Sequence, residues 1–229
     1  MGKLTRSAAL LLLAGLFQAA PAAAQGTSPF HWYIGGQGGV MNYATATEGR
    51  AFRPMFGVHL LVTGKRTGLL LTAEHSFGNE RTSEYDVFAI DSAGGVTSTT
   101  VPTTFDGVRK YSAILIAYPI GGVILHPYIG LGVSLVYLQH SYPENSTTSQ
   151  LGSYTVGTLV AGMEFRVSRF SAFGQGQITS KPSIGQVVTT LGNTTFIEQG
   201  ALLRGPTYNL TAGLRIDLGN ASEDNKTNY

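Results

Sequence analysis

The run Tyr208-Asn209-Leu210-Thr211-Ala212-Gly213-Leu214-Arg215-Ile216-Asp217-Leu218 constrains the chain more than any other stretch. A β-strand sends successive side chains to opposite faces, so Tyr208, Leu210, Ala212, Leu214, Ile216 and Leu218 share one face. Asn209, Thr211, Gly213, Arg215 and Asp217 share the other. One face calls for hydrocarbon and the other for water or polar partners. A strand crossing a bilayer at a tilt needs roughly 9 to 11 residues, and this run has that length with no charge on its apolar face. It reads as the closing strand of a membrane barrel.

The beginning of the chain fits export. Lys3 and Arg6 precede an apolar run ending at Phe17, and Ala22-Ala23-Ala24 offers a small-x-small cleavage site. Residues 1–24 are therefore expected to be a signal peptide, 25–219 the barrel and 220–229 a disordered polar tail. The apolar run is too short for a spanning helix, and no later run is long enough. Charged residues make up 12% of the chain, against about 25% in ordinary soluble proteins. Without Lys3 and Arg6, 13 basic residues face 13 acidic ones, so the basic balance gives no argument for nucleic acid. The absence of cysteine removes disulfides, thiol nucleophiles and thiolate metal sites, and a closed barrel has no need of disulfides.

Seven further segments alternate in the same way. Residues 30–43 put Trp32, Ile34 and Val40 opposite Gln37, and Gly35, Gly36, Gly38 and Gly39 suit a barrel whose interior is just wide enough for side chains. Their G-x-G pattern is not followed by a helix pattern, which argues against a phosphate loop. Residues 54–62 alternate Phe56, Val58, Leu60 and Val62 with Gly57, His59 and Leu61, and 69–77 set Leu69, Leu71, Ala73 and Phe77 against Thr72, Glu74 and Ser76. Residues 108–120 are ambiguous, because Ile114-Leu115-Ile116 is apolar on both faces. Residues 128–139, 153–167 and 170–178 complete the set. The connections alternate long and short, as in a meander with one decorated rim, which places the long loops outside the cell. Aromatic residues gather at strand ends: Tyr43, Phe56, Phe77, Tyr111, Tyr137, Tyr154 and Tyr208 at the outer rim, and Trp32, Tyr118, Tyr128, Phe165 and Phe170 at the inner one. The expected fold is all-β, an eight-stranded antiparallel up-and-down transmembrane β-barrel.

Few charges fall on the strands: Glu74, Arg109 or Lys110, Glu164, Arg166, Arg215 and Asp217. Glu74, Glu164, Arg166, Arg215 and Asp217, with Gln175 between the last two pairs, form a candidate interior ion and hydrogen-bond cluster. Its structural reading is a plug of satisfied charge; its functional reading is a gated ion path. Enzyme chemistry would have to come from Glu74-His75-Ser76 or His140-Ser141, but His75 points away from both Glu74 and Ser76, and no G-x-S-x-G elbow occurs. The five histidines lie singly, so no metal or cofactor is expected. Asn-x-Ser/Thr sites at Asn145, Asn193, Asn209, Asn220 and Asn225 read as chance in a Thr-rich chain. The main rival is a secreted soluble barrel of lipocalin type, which would need charge on its outside where these strands carry little.

In leader, alternation, loop asymmetry and closing strand, residues 30–218 resemble the small eight-stranded outer-membrane barrels of the OmpA and OmpX type. The resemblance implies a non-enzymatic monomer in the bacterial outer membrane, contributing to envelope integrity or to surface interaction through its loops. Its implied partners are outer-membrane lipid and lipopolysaccharide, the outer-membrane assembly machinery, and an extracellular ligand at loops 78–106 and 179–205. The family usually ends its last strand on an aromatic residue that the assembly machinery reads; Leu218 stands there in this chain, with Tyr229 at the terminus.

Overall fold

The computed structural model describes residues 30–120, 124–139, 141–142 and 146–221. The leader at 1–24, residues 222–229 of the tail, and His140 lie outside the described residues. In chain order the strands are β1 (Phe30–Thr45), β2 (Ala51–Thr63), β3 (Thr67–Ser76), β4 (Arg81–Ile90), β5 (Val96–Phe105), β6 (Gly107–Ala117) and β7 (Leu125–Gln139). A one-turn helix α1 (Ser146–Leu151) precedes β8 (Ser153–Val167), β9 (Phe170–Thr179), β10 (Gly185–Leu191), β11 (Thr194–Gly200) and β12 (Leu203–Ala221).

Eight of these close into an antiparallel barrel in the order β1-β12-β9-β8-β7-β6-β3-β2. Followed once around through paired residues, the register returns to β1 about ten positions further along, a stagger that tilts the strands by roughly 40°. Closure leaves no barrel edge unpaired, so every strand backbone can sit in hydrocarbon with its polar groups satisfied. The first and last strands meet at the short-turn rim, where Phe30 pairs with Ala221. The closing strand therefore runs past the expected boundary at 219, and the tail begins later than 220.

Side-chain alternation decides inside from outside. Ile34, Val58, Leu71, Leu115, Leu131, Leu159, Leu210 and Leu214 all face outward, with Leu131 68% and Leu210 65% exposed. A continuous apolar exterior around a polar, charged interior is the reverse of a soluble ligand-binding barrel. The ambiguity of 108–120 is resolved by the same rule: Lys110, Ser112, Ile114 and Ile116 point in, while Arg109, Tyr111 and Leu115 point out. Four aromatics expected in the girdles turn inward instead. Tyr118 and Tyr128 belong to an apolar tier with Tyr33, Leu61, Leu70 and Ile116 near the short-turn rim. Tyr43 packs with Met41, Met55, Phe105, Val108 and Leu203 in a second tier that caps the barrel at the other end, with Tyr154 half-buried against it. Their phase on the strand, rather than their height, sets the direction. The outward girdle keeps Phe56, Phe77, Tyr111, Tyr137 and Tyr208 at one rim and Trp32, Phe165 and Phe170 at the other.

Loops 78–106 and 179–205, expected as long polar loops with a strand-like run only at Val87-Phe88-Ala89-Ile90, are β-hairpins that join into one four-stranded sheet in the order β10-β11-β4-β5. Asp91 Oδ1 accepts from Ala93 N at 2.9 Å and from Gly95 N at 2.7 Å, closing the first hairpin turn. Gly192, at φ 61°, begins the two-residue turn Gly192-Asn193 of the second. Tyr85, Leu151, Val187 and Leu202 form the core beneath this sheet, which brings α1 under it. The first connection is only residues 46–50, and it bolts the sheet to the barrel. Glu48 pairs with Arg81 at 2.8 Å, Thr45 donates to Thr82 O at 2.5 Å, and Ser83 donates to Leu202 O at 2.8 Å.

Since the chain has no native cysteine, the joining of the two hairpins can be read by crosslinking. Phe88 and Ile197 are directly opposed across β4 and β11. The pair Phe88→Cys with Ile197→Cys is expected to form a disulfide on mild oxidation, visible as a reducible gel shift, because opposed residues lie within disulfide reach. Phe88→Cys with Val188→Cys, one strand further away, is expected to form none.

Candidate functional site

The barrel interior holds two groups of ionised side chains. In the first, the Glu164 carboxylate on β8 is shared by several donors. Arg166 Nη2 lies 2.9 Å away, Arg215 Nη1 3.3 Å, Tyr118 OH 3.1 Å and Ser171 Oγ 2.5 Å. One acid faces two guanidinium groups here, and aromatic rings take up the excess positive charge. Arg215 lies 3.9 Å above the Phe173 ring, and Arg166 sits between Tyr33 and Tyr118 at 5.2 and 5.1 Å. Arg215 Nε also donates to His59 Nε2 at 3.0 Å. Arg215 and Glu164 are 0% exposed, while the Arg166 side chain is 23% exposed toward the short-turn mouth.

The second group lies nearer the long-loop rim. Glu74 Oε2 pairs with Lys110 Nζ at 2.7 Å, and Lys110 donates to Gln177 Oε1 at 2.7 Å. Gln37 Nε2 donates to Glu74 Oε1 at 2.7 Å. The Asn209 amide, with its oxygen toward Lys110 Nζ, accepts at 2.6 Å. Beside this group Ser134 bridges Ser112, at 2.7 Å, and Thr158.

Inward-facing glycines make these contacts possible. Arg215, Gly35 and His59 are paired in one row across β12, β1 and β2, and Arg215 reaches over Gly35 to bond His59. A Cβ on Gly35 would come within 2.7 Å of His59 Nε2. Gln37, Gly57 and Glu74 form a second such row across β1, β2 and β3, where a Cβ on Gly57 would stand 3.1 Å from Glu74 Cγ. Tyr128, Gly162 and Gln175 form a third: Tyr128 OH donates to Gln175 Oε1 at 2.7 Å, in space that a Gly162 Cβ would occupy at 2.6 Å from the hydroxyl. Strands two apart are separated by nearly 10 Å of backbone, and these side chains cross that distance only where the intervening position is bare.

The six residues singled out from the sequence thus distribute unevenly. Glu164, Arg166 and Arg215 meet. Glu74 belongs to the second group, with Lys110 as its cation. Gln175 is not between Glu164 and Arg215, because the register sets Phe173 opposite Glu164 and Ser171 opposite Arg215; those two fill the place. Asp217 lies at the short-turn rim, 3.1 Å from His31 Nδ1, away from Glu164. Lys110, which the sequence offers only as an alternative to Arg109, is the one of the two that turns inward, and His59, on the inner face of its strand, joins the first group through Arg215. Of the groups weighed for enzyme chemistry, Ser76 and Glu74 face the interior while His75 faces outward, and Ser76 Oγ accepts from Val108 N at 3.3 Å.

The profile of the outer membrane protein beta-barrel domain matches residues 8–215. The chain belongs to that family. No curated protein matches it. Among solved structures, Neisserial surface protein A is similar at 10% identity and a TM-score of 0.50, over 82% of this chain and 97% of that one. Ail, the attachment invasion locus protein of Yersinia pestis, solved with the heparin analogue sucrose octasulfate, shares 13% identity at a TM-score of 0.39, over 83% and 100%. The outer membrane protease OmpT from Escherichia coli shares 9% at 0.34, over 83% and 96%. At these identities the likeness is one of fold. As an outer membrane protein beta-barrel domain, the protein resides in the bacterial outer membrane, and its apolar exterior is the face that lipid covers.

Breaking a buried pair by removing one partner costs about 3–5 kcal/mol, whereas removing both together costs far less. Lys110→Met in this outer-membrane barrel is therefore expected to lower stability by about that amount, measured as the urea midpoint of folding into vesicles. Glu74→Gln added to Lys110→Met is expected to recover most of the loss.

Proposed function

We infer that this protein acts by surface interaction, as a non-enzymatic outer-membrane monomer exported by a cleaved signal peptide, with its long-loop rim outside the cell. The observation that carries this reading is the four-stranded sheet. Two loops distant in sequence are ordered against each other, tied to the barrel by Glu48–Arg81 and underpinned by Tyr85, Leu151 and Leu202. A rigid scaffold presenting an ordered platform is the usual arrangement for recognition.

The edge of that platform offers a specific mode. β5 pairs with β4 on one side; at its base Thr104 pairs with Tyr142, and residues 96–101 have no strand on the other side among the described residues. The exposed stretch Val96-Thr97-Ser98-Thr99-Thr100 carries no charge, whereas edges built to avoid pairing are usually blunted with charge. An extended segment of a partner protein can add there as a further strand, drawing affinity from backbone hydrogen bonds. The envelope-integrity reading draws on the barrel wall instead and does not involve this edge.

Complementation separates the two. In a deletion strain, the wild-type chain is expected to restore adherence to host cells. Thr97→Lys with Thr99→Lys is expected to reach the outer membrane with a normal heat-dependent gel shift and to lower adherence about tenfold. Full adherence with the double variant would overturn the edge reading. Loss of detergent resistance on deletion, restored equally by both forms, would favour envelope integrity.

A further inference from the structure

The outward faces of the barrel strands are apolar almost throughout, and within the aromatic girdles the charged exception is Arg109. Phe56, His75, Arg109 and Tyr137 form a row of outward side chains paired across β2, β3, β6 and β7 within the girdle at the long-loop rim. Arg109 is exposed, and no carboxylate pairs with it among the described residues. The Glu74 carboxylate, on the opposite face of the wall, is taken up by Lys110 and Gln37. The other outward charge on the barrel strands, Arg204, lies beyond Tyr208 toward the long loops.

Directly below Arg109 the wall is indented. The next outward row toward the middle of the bilayer is Val58, Ala73 and Tyr111. The small side chain of Ala73 between two larger ones leaves a groove of about 280 Å³, bounded also by Phe56, His75 and Arg109. Its walls are held by aromatic contacts: Phe56 meets His75 edge-on at 5.5 Å and Tyr111 meets Tyr137 at 6.1 Å. A cation facing lipid is costly at the bilayer midplane and tolerated at the interface, where the headgroup phosphates lie. The guanidinium fork matches phosphate in two hydrogen bonds, and the apolar trough beneath it suits an acyl chain.

We propose that this groove binds a phosphorylated lipid of the surrounding leaflet, its phosphate on Arg109 beside His75 and an acyl chain along Ala73 between Val58 and Tyr111. The site depends on membrane residence and not on what the external sheet recognises. The purified full chain in mild detergent, titrated with diphosphoryl lipid A and followed by native mass spectrometry, is expected to take up one lipid tightly. Arg109→Ala should weaken that uptake about tenfold, Arg109→Lys much less, and Arg204→Ala not at all. Lipid A stripped of its phosphates should bind the wild type as weakly as diphosphoryl lipid A binds Arg109→Ala. Because Arg109 is exposed, the variants should keep the heat-dependent gel shift of the folded barrel. Equal uptake by wild type and Arg109→Ala, or by phosphorylated and stripped lipid, would overturn the proposal. So would displacement of the lipid by millimolar inorganic phosphate, which would mark a site for the free anion.

Discussion

Two buried carboxylates, Glu74 and Glu164, set the terms for the rest of the barrel. Neither has accessible surface of consequence, and an ionised carboxylate removed from water must be paired and hydrogen-bonded or be strongly destabilising. In an eight-stranded barrel the partners come from the same strand, from the directly paired strand and from strands two places away. Lys110 and Gln37 answer Glu74; Arg166, Arg215, Tyr118 and Ser171 answer Glu164. Gly57 follows from this requirement, since it leaves bare the strand that Gln37 must cross to reach Glu74, and Gly35 and Gly162 do the same for the Arg215–His59 and Tyr128–Gln175 bonds. Glycine usually weakens a strand. Here the loss is offset by interior bonds that no larger residue would permit.

The same alternation that buries these charges exposes an apolar exterior, so interior and lipid face are two consequences of one pattern. Above the apolar cap formed by Met41, Tyr43, Phe105 and Leu203, the backbone continues as the external sheet, clamped by the short connection at 46–50. Closed barrel, lipid-facing groove and external platform are thus separate levels of one scaffold, and changes at one level need not propagate to another. Arg109 can contact lipid while its neighbour Lys110 completes the interior, because adjacent residues on a strand face opposite media.

Much of the barrel was legible in the sequence. Residues 208–218 fall on the faces that their period of two requires, and seven other segments fall into the same closed sheet. The interior network was legible only in part. Arg215, Glu164 and Arg166 could be placed together because β12 and β8 run the same way, but register decides which β9 residue lies between them. Along β9, Gln175 lies two positions from Phe173 and four from Ser171. Asp217 was drawn toward Glu164 by its closeness to Arg215 in sequence, whereas the strand carries it on to His31 at the rim. The external sheet was missed because Thr- and Ser-rich strands look like loop. Asp91 with Gly94-Gly95, and Gly192-Asn193, were the available turn signals. The pairing of β4 with β11 joins segments about a hundred residues apart, and no local pattern encodes it.

The central claim is that paired charges and packed side chains fill this lumen and close it to ions. Lys110 and Arg215 are 1% and 0% exposed, so almost no surface of either cation in the middle of the barrel is open to water. Planar-bilayer recording of the wild-type protein tests this most directly. The account predicts insertion without discrete conductance steps at moderate voltage. Stable, ohmic single-channel steps from the intact chain would show a continuous water path past these residues and would contradict it.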